Sequence, residues 1–449
     1  MLVLRNAVLV PGDGHTVREG VSVVLDGERI VDVTDRGYTG GPRDDVIDLA
    51  GRLLVPGAIN PHAHVTAIGP RFASGAPAAG GDQVLANLDR QLRAGTTTVL
   101  NLDGFNVPGE IEPIWRRHPV NLRMATIHFD QSVRAARAID GTGLTSTHEA
   151  MTVDRMLSSG AVAIGEVGAG HTLAGDGVDY LYIPRAVERE TGVRLEPRQA
   201  TRLKYAVLGR RAHVEAFDVS AVQLTLTALG LADRLTPEKA RELIHTCVLP
   251  PFQVALDGIV ESARLAVHHG VPTSVHTSAP SEEAVSAAAS IAGPLLVSGH
   301  TNHATFMEAE AIDVARRLKR QGAWIEVSTL DAFGARRLAG SPSLMYALLR
   351  TGLVDFVSTD YAGGHWDDVY LGLAHAVADG VLSLPAAVAM ASRNVTRAFP
   401  RLAPDRGEIA VGRIADLAVC RDQLDRVDLV FVSGKLVCEG GLVRHREGW

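Results

Sequence analysis

Two histidines separated by one residue end an apolar run just after a Pro-Gly: Leu53-Leu-Val-Pro-Gly-Ala-Ile-Asn-Pro-His-Ala-His64. On a β-strand, side chains at i and i+2 point to the same face. His62 and His64 therefore aim two imidazoles at one point, as a rigid wall must do to hold a metal ion. In a chain with 17 histidines one such pair is weak by itself, but acids and imidazoles recur at the ends of later apolar runs. Glu166 closes Ala161–Val167, His276 closes Pro272–His276, His300 closes Leu295–His300, and Asp360 follows Asp355–Thr359. Taken singly, Glu166 reads as a hydrogen-bonded polar group and His300 as a core histidine. Taken together, six N/O donors without a thiolate suit borderline divalent ions such as zinc. They exceed what one tetrahedral catalytic zinc needs, and they fit two ions that share a carboxylate with a water between them.

These residues need a frame that gathers strand ends. The middle of the chain alternates apolar strands with helices. The strands are Leu53–His64, Thr96–Leu102, Asn121–Phe129, Ala161–Val167, Pro272–His276, Leu295–His300, Ala323–Ser328 and Asp355–Thr359. They are apolar on both faces, as in a parallel sheet under helices. Thr236-Pro237 and Ser341-Pro342 read as helix starts, and Ala304–Gln321 as an amphipathic helix ending at Gly322. Eight strands alternating with helices predict an α/β fold, a (β/α)8 TIM barrel, with the chemistry at the C-terminal ends of its strands. A doubly wound sheet would show a glycine-rich phosphate turn after its first strand, and none is present.

Both ends of the chain are rich in short strands and turns. Residues 1–55 and 397–449 are expected to build one small β-sandwich domain around a barrel spanning 56–396. One interval is out of step: Glu166 and His276 lie 110 residues apart, so the stretch 170–257 reads as an insertion after strand four. Its segment Arg194, Arg198, Arg202, Lys204, Arg210, Arg211, with Glu196 the only acid among them, is basic. The insertion is expected to be a lid that binds an anionic substrate, a helical surface element or an oligomer contact.

The 449 residues, 46% hydrophobic and 21% charged, provide for a large core. A net charge of −7 without a basic tract argues against nucleic acid or an anionic membrane as partner. The expected partner is a small-molecule substrate, bound by a homo-oligomer. Three scattered cysteines, Cys247, Cys420 and Cys438, are too few for a disulfide framework and favour a reducing compartment. The first residues read as a strand, and no apolar run is judged to reach the ~18 residues of a span. The expected location is the cytoplasm.

Val55–His64, the later strand-end His, His and Asp, and the tail Gly407-Glu-Ile-Ala-Val-Gly-Arg-Ile-Ala-Asp-Leu-Ala-Val419 resemble the amidohydrolase superfamily over nearly the whole chain. Gly165-Glu-Val-Gly168 and His300-Thr-Asn302 resemble its enamidase branch. The resemblance implies that His62, His64 and Asp360 hold one metal, His276 and His300 the other, and that Glu166 bridges them. Two departures stand out: Asn60 occupies a position usually held by Asp, and the insertion is longer than in enamidase.

The cofactors expected are two divalent ions, zinc or a zinc–iron pair. They would bring a bridging water from a pKa of ~15.7 toward neutrality. The hydroxide would attack a C–N amide bond, of a cyclic amide, lactam or imide, and Asp360 would carry its proton to the departing nitrogen. The alternative is a mononuclear aminohydrolase that deaminates a heterocycle, with His62, His64, His276 and Asp360 on one metal and a glutamate after strand five, near Glu282 and Glu283, as proton carrier. His303, His365 and Thr329 are the substrate-side candidates. Tyr361, His128 and Asp103 also stand near strand ends and read as core or rim residues. His268 and His269 read as cations at a helix C-terminus.

Overall fold

A computed structural model describes residues 1–35, 38, 41–169, 177–211, 217–364 and 366–444. Eight parallel strands follow one another in chain order around a barrel: β1 Ala58–Ala63, β2 Thr96–Asn101, β3 Asn121–Thr126, β4 Ala163–Val167, β5 Thr273–His276, β6 Leu296–Gly299, β7 Trp324–Ser328 and β8 Phe356–Ser358. Nearly every residue in them is buried, which accounts for their continuous apolar sequence. The TIM-barrel expectation holds.

The expected strand Leu53–His64 is in fact two strands. Leu53–Pro56 pairs antiparallel with Leu417–Cys420 in a second sheet, and β1 begins at Ala58. The break falls at Gly57, where a Cβ would lie 2.2 Å from the Thr97 side chain; only glycine lets the chain cross so close. The second sheet is mostly antiparallel and runs Leu442–Val443, Lys435–Glu439, Val427–Val432, Leu417–Cys420, Leu53–Pro56, Leu2–Leu9, Arg18–Asp26, Arg29–Thr34, with Asp45–Asp48 beside Leu2–Leu9. Strands from both ends of the chain thus share one core around Leu4, Val23, Leu54, Leu417 and Phe431.

The barrel closes between β1 and β8 through few backbone contacts. Ala63 bridges Tyr361, and the His64 N–H donates to the Tyr361 carbonyl at 2.5 Å. Asn60 supplies the rest. Its Nδ2 donates to Thr359 Oγ1 and Gln91 Oε1, both at 2.8 Å, and its Oδ1 accepts from the Thr359 N–H at 3.2 Å. Asn60 is thus the side-chain clasp of the seam.

The insertion is helical where described: α1 Ile183–Thr191, α2 Pro197–Leu208, α3 Val219–Ala228 and α4 Pro237–Val248 surround their own core of Val187, Leu203, Val222, Leu226 and Ile244. Thr236 caps α4 as expected, its hydroxyl accepting from the Lys239 N–H. The next helix, α5 Phe252–His269, packs on β4, so the barrel resumes before residue 257. By length and composition Pro237–His269 is apolar enough to cross a membrane, contrary to the expectation; it is two helices parted at Leu249–Pro251, with the face of α5 bearing Ala255, Ile259, Ala263 and Ala266 buried. Helix α6, Glu282–Ala292, follows β5. Helix α7, Glu308–Arg320, begins later than the expected Ala304, because Ala304–Met307 form a turn and the Met307 N–H is held by Glu310 Oε2. The Ser341-Pro342 helix likewise starts at Ser343. None of the three cysteines is in a disulfide.

Asn60 is fully buried, so Asn60→Ala leaves the Thr359 amide and Gln91 without partners. It should cost about 2 kcal/mol, seen as a lower midpoint in urea with an unchanged slope.

Candidate metal centre

The C-terminal ends of β1, β4, β5, β6 and β8 deliver five of the six expected donors into one buried cluster and the sixth to its edge. His62, His64, Glu166, His276 and His300 are 2% exposed or less; the Asp360 side chain is 19% exposed. The Glu166 carboxylate lies at the middle. Its Oε2 is 3.3 Å from His62 Nε2 and 3.4 Å from His64 Nε2. Its Oε1 is 3.2 Å from His276 Nδ1 and 2.8 Å from His300 Nε2. Asp360 Oδ1 stands 3.5 and 3.4 Å from the same two Nε2 atoms of His62 and His64. Two groups of donors result, His62–His64–Glu166 and Glu166–His276–His300, each with its ligand atoms within 4.8 Å of one another.

The chemistry of this set fits divalent metal. His62 Nε2 and His64 Nε2 are buried and form no hydrogen bond with acceptable geometry, although two carboxylates face them. Burial works against charge on both rings, but Glu326, Glu166 and Asp360 around His62, and Asp103, Asp360 and Glu166 around His64, outweigh it and hold both well above the ordinary histidine value. Burial likewise disfavours the Glu166 and Asp360 anions, yet His62 and its neighbours keep both below the usual carboxylate range. Buried carboxylates facing imidazole nitrogens that have no hydrogen-bond partner call for positive charge between them, which a divalent cation supplies.

The rings are oriented from behind. His62 Nδ1 is 2.8 Å from Glu326 Oε1, which also accepts from Ser358 Oγ at 2.6 Å, Ser328 Oγ at 3.2 Å and the His300 N–H at 3.3 Å. His64 Nδ1 is 3.3 Å from Asp103 Oδ1, and Asp103 also takes the Val65 and Phe72 N–H groups. A carboxylate behind each imidazole fixes the ring and leaves Nε2 facing the cluster. Glu326 escaped the sequence reading. Its signal was present: one acid in the apolar strand Trp324-Ile-Glu-Val-Ser328, two residues before Ser328 and on the same face. Two donors leave their strands through left-handed backbone, His300 at φ 31° and Asp360 at φ 52°, strained conformations that are held only by their surroundings.

The remaining candidates separate. The His303 ring lies 5.4 Å from those of His276 and His300. Its Nδ1 accepts from the Thr305 N–H at 3.2 Å, which leaves the proton on Nε2. Burial and the two neighbouring imidazoles hold it well below the ordinary value. Thr329 is buried and its hydroxyl donates to the Asp367 carbonyl at 2.6 Å, a bond between the loops after β7 and β8. His365 lies outside the described residues. The Tyr361 hydroxyl donates to Asn87. His128 is buried beside Phe105, pushed down to about 4 by burial. His268 and His269 end α5 before Gly270, whose φ is 61°.

The insertion roofs this centre. On one side the Tyr182 hydroxyl donates to Asp140 Oδ2 at 2.5 Å and lies 3.0 Å from Ser74 Oγ, while the Tyr180 and Trp366 rings sit 6.4 Å apart. On the other, Arg210 donates to the Thr305 carbonyl at 2.9 Å and pairs with Glu310, Arg211 pairs with Glu282 and Glu310, and the Arg198 N–H donates to the Arg337 carbonyl. Of the basic stretch, Lys204, Arg210 and Arg211 are thus paired with acids of the chain, while Arg194, Arg198 and Arg202 lie exposed.

Residues 219–437 match the model of the amidohydrolase family. That match covers just under half of the chain. Over 65 residues, 14% of this chain and 11% of the relative, it is 43% identical to an adenine deaminase of Rubrobacter xylanophilus. Over 154 residues, 29% of the chain and 38% of the relative, it is 32% identical to an imidazolonepropionase of Streptomyces griseus. The matches thus span well under half of either relative. Among solved structures, a prolidase complexed with N-methylphosphonate-L-proline superposes with a TM-score of 0.59 at 17% identity, covering 98% of this chain and 99% of that one. The D-hydantoinase (dihydropyrimidinase) of a Thermus species gives 0.55 at 18%, covering 100% and 98%. These structures share the fold with this chain.

Glu326→Gln should loosen His62 and weaken metal binding about 10- to 100-fold, measured by competition with a chromogenic chelator.

Proposed function

We propose that this protein belongs to the amidohydrolase superfamily and is a binuclear metal-dependent hydrolase that cleaves the C–N bond of a cyclic amide, lactam or imide. One observation carries the reading: the two oxygens of Glu166 each face a separate histidine pair, which a carboxylate shared between two ions requires. His62, His64 and Asp360 would hold one ion and His276 and His300 the other, with Glu166 common to both. Zinc, or zinc with iron, suits these donors, and would acidify water and polarise a carbonyl there.

The chain's own groups supply the rest. Asp360 is the most exposed donor and is kept ionised by the histidines beside it. It is placed to take a proton from the attacking water and give it to the departing nitrogen. The water oxygen bonds to the carbonyl carbon, the C–N bond breaks, and the nitrogen leaves as the amine. His303, neutral with its proton on Nε2, is a donor for the substrate. The roof limits entry of bulk water.

The heterocycle deaminase alternative requires a carboxylate proton carrier from beyond β5. Glu282 is instead paired with Arg211 and Arg317, and Glu283 is exposed. The short match to an adenine deaminase is the one observation on its side. A small molecule is the proposed partner and, with three unbridged cysteines, the cytoplasm the proposed compartment.

Protein purified without added metal should carry close to two equivalents by elemental mass spectrometry, and Glu166→Ala about one or fewer. One equivalent in the wild type, with ammonia released from heterocyclic amines, would establish the deaminase instead. Asp360→Asn should retain metal and lose about a hundredfold or more in kcat on a hydrolysed lactam; a near-normal kcat would remove Asp360 from proton transfer.

A further inference from the structure

The roof is built from two arms. The first, Val178–Tyr182 leading into α1, is fastened to Ser74, Asp140 and Trp366, in the segments after β1, β3 and β8. The second, α2, is fastened at its start to Arg336 and Arg337 after β7, and just beyond its end to Thr305 after β6. The arms meet at one polar cluster. Asp179 of the first arm accepts at Oδ2 from Lys204 Nζ at 2.7 Å and from Thr201 Oγ1 at 2.8 Å. Asp179 is fully buried and Lys204 is 1% exposed.

The cluster is close to the metal centre. Thr305, to whose carbonyl Arg210 is anchored, is the residue whose amide and hydroxyl hold His303. The positive charge of Lys204 is also among the influences that hold His303 low.

Two atoms of the cluster lack partners. Asp179 Oδ1 and the Tyr205 hydroxyl are buried, and among the described residues neither forms a hydrogen bond. Tyr205 adjoins Lys204 on α2, with Nζ 5.5 Å from the ring centroid, and Asp179 contributes to raising its phenol. A buried ion pair stabilises no better than apolar side chains of the same size, and an unbonded oxygen in the interior is a net cost. Stability therefore gives no reason for this arrangement where the arms join above the site. A ligand group that bonds both atoms does. Asp179 Oδ1 accepts and needs an N–H; the Tyr205 O–H donates and needs an oxygen. Lys204 and Asp179 cancel in charge, so the cluster has no net attraction for an anion.

We propose that Asp179 Oδ1 and the Tyr205 hydroxyl form the far end of the substrate site and recognise a neutral group presenting an N–H beside a carbonyl, as in a carboxamide or ureide. Thr201 and Lys204 are positioning residues that hold Oδ2 and leave Oδ1 directed at the ligand. This inference rests on the reading of the centre as an amide hydrolase and names the second feature its substrate carries.

The test uses the zinc-loaded, full-length enzyme and three lactams that share one ring: 5-oxoprolinamide, 5-oxoproline and 2-pyrrolidinone, ending in a carboxamide, a carboxylate and hydrogen. Hydrolysis gives kcat and KM, and calorimetry gives Kd independently of turnover. The wild type should bind the carboxamide about tenfold or more tightly than either of the others. Tyr205→Phe removes a hydroxyl with no hydrogen-bond partner among the described residues, so its melting temperature should not fall, while the carboxamide preference drops about tenfold. The pair Asp179→Asn with Lys204→Met removes both charges together and should erase the preference. Hydrolysis with no carboxamide preference, a preference for the carboxylate, or a preference intact in both variants overturns the inference and leaves the hydrolase reading standing. Failure of the wild type both to bind and to hydrolyse any of the three overturns the lactam reading and this inference with it.

Discussion

One carboxylate organises this molecule. Glu166 is buried with an imidazole pair against each of its oxygens, and a buried anion is tolerable only with positive charge or strong donors around it. The four histidines reach it only because a parallel barrel gathers strand ends around one axis. Their rings point correctly only because Glu326 and Asp103 hold the far nitrogens of His62 and His64. The barrel, the carboxylates behind the rings and the roof over them all serve to keep that anion compensated and away from bulk water.

Much of this was legible in the chain because it depends on short periods. The i, i+2 spacing of His62 and His64 states which face they share, and an acid or imidazole ending an apolar run states which rim it occupies. The two-sheet division of Leu53–Ala63 was hidden because pairing with Leu417–Cys420 is set by residues hundreds of positions away. Glu326 was obscured by its position inside a strand, where an acid reads as an irregularity until its partners are seen.

The insertion shows the other limit. Ala200, Leu203, Lys204, Val207 and Leu208 fall at helical spacing on one buried face, so a lysine among the apolar positions of α2 could have been noticed. Read by composition, it merged with five arginines into a basic stretch. In three dimensions Lys204 turns inward to Asp179, Arg210 and Arg211 turn to acids on α6 and α7, and only Arg194, Arg198 and Arg202 stay exposed. Charge counted along a chain says little about charge presented by a surface.

The seam between β1 and β8 has a consequence for how the protein comes into being. Asn60 and Thr359, which clasp it, are 299 residues apart in sequence. At 5 to 20 residues per second, that interval takes a ribosome roughly 15 to 60 s. Throughout it, His62 and His64 are made but lack Asp360, and Leu53–Pro56 waits still longer for Leu417–Cys420. Glu166, His276 and His300 can meet while the chain is still growing. The two halves of the centre thus mature at different times, and the half that includes the proposed proton carrier is completed only when the barrel shuts.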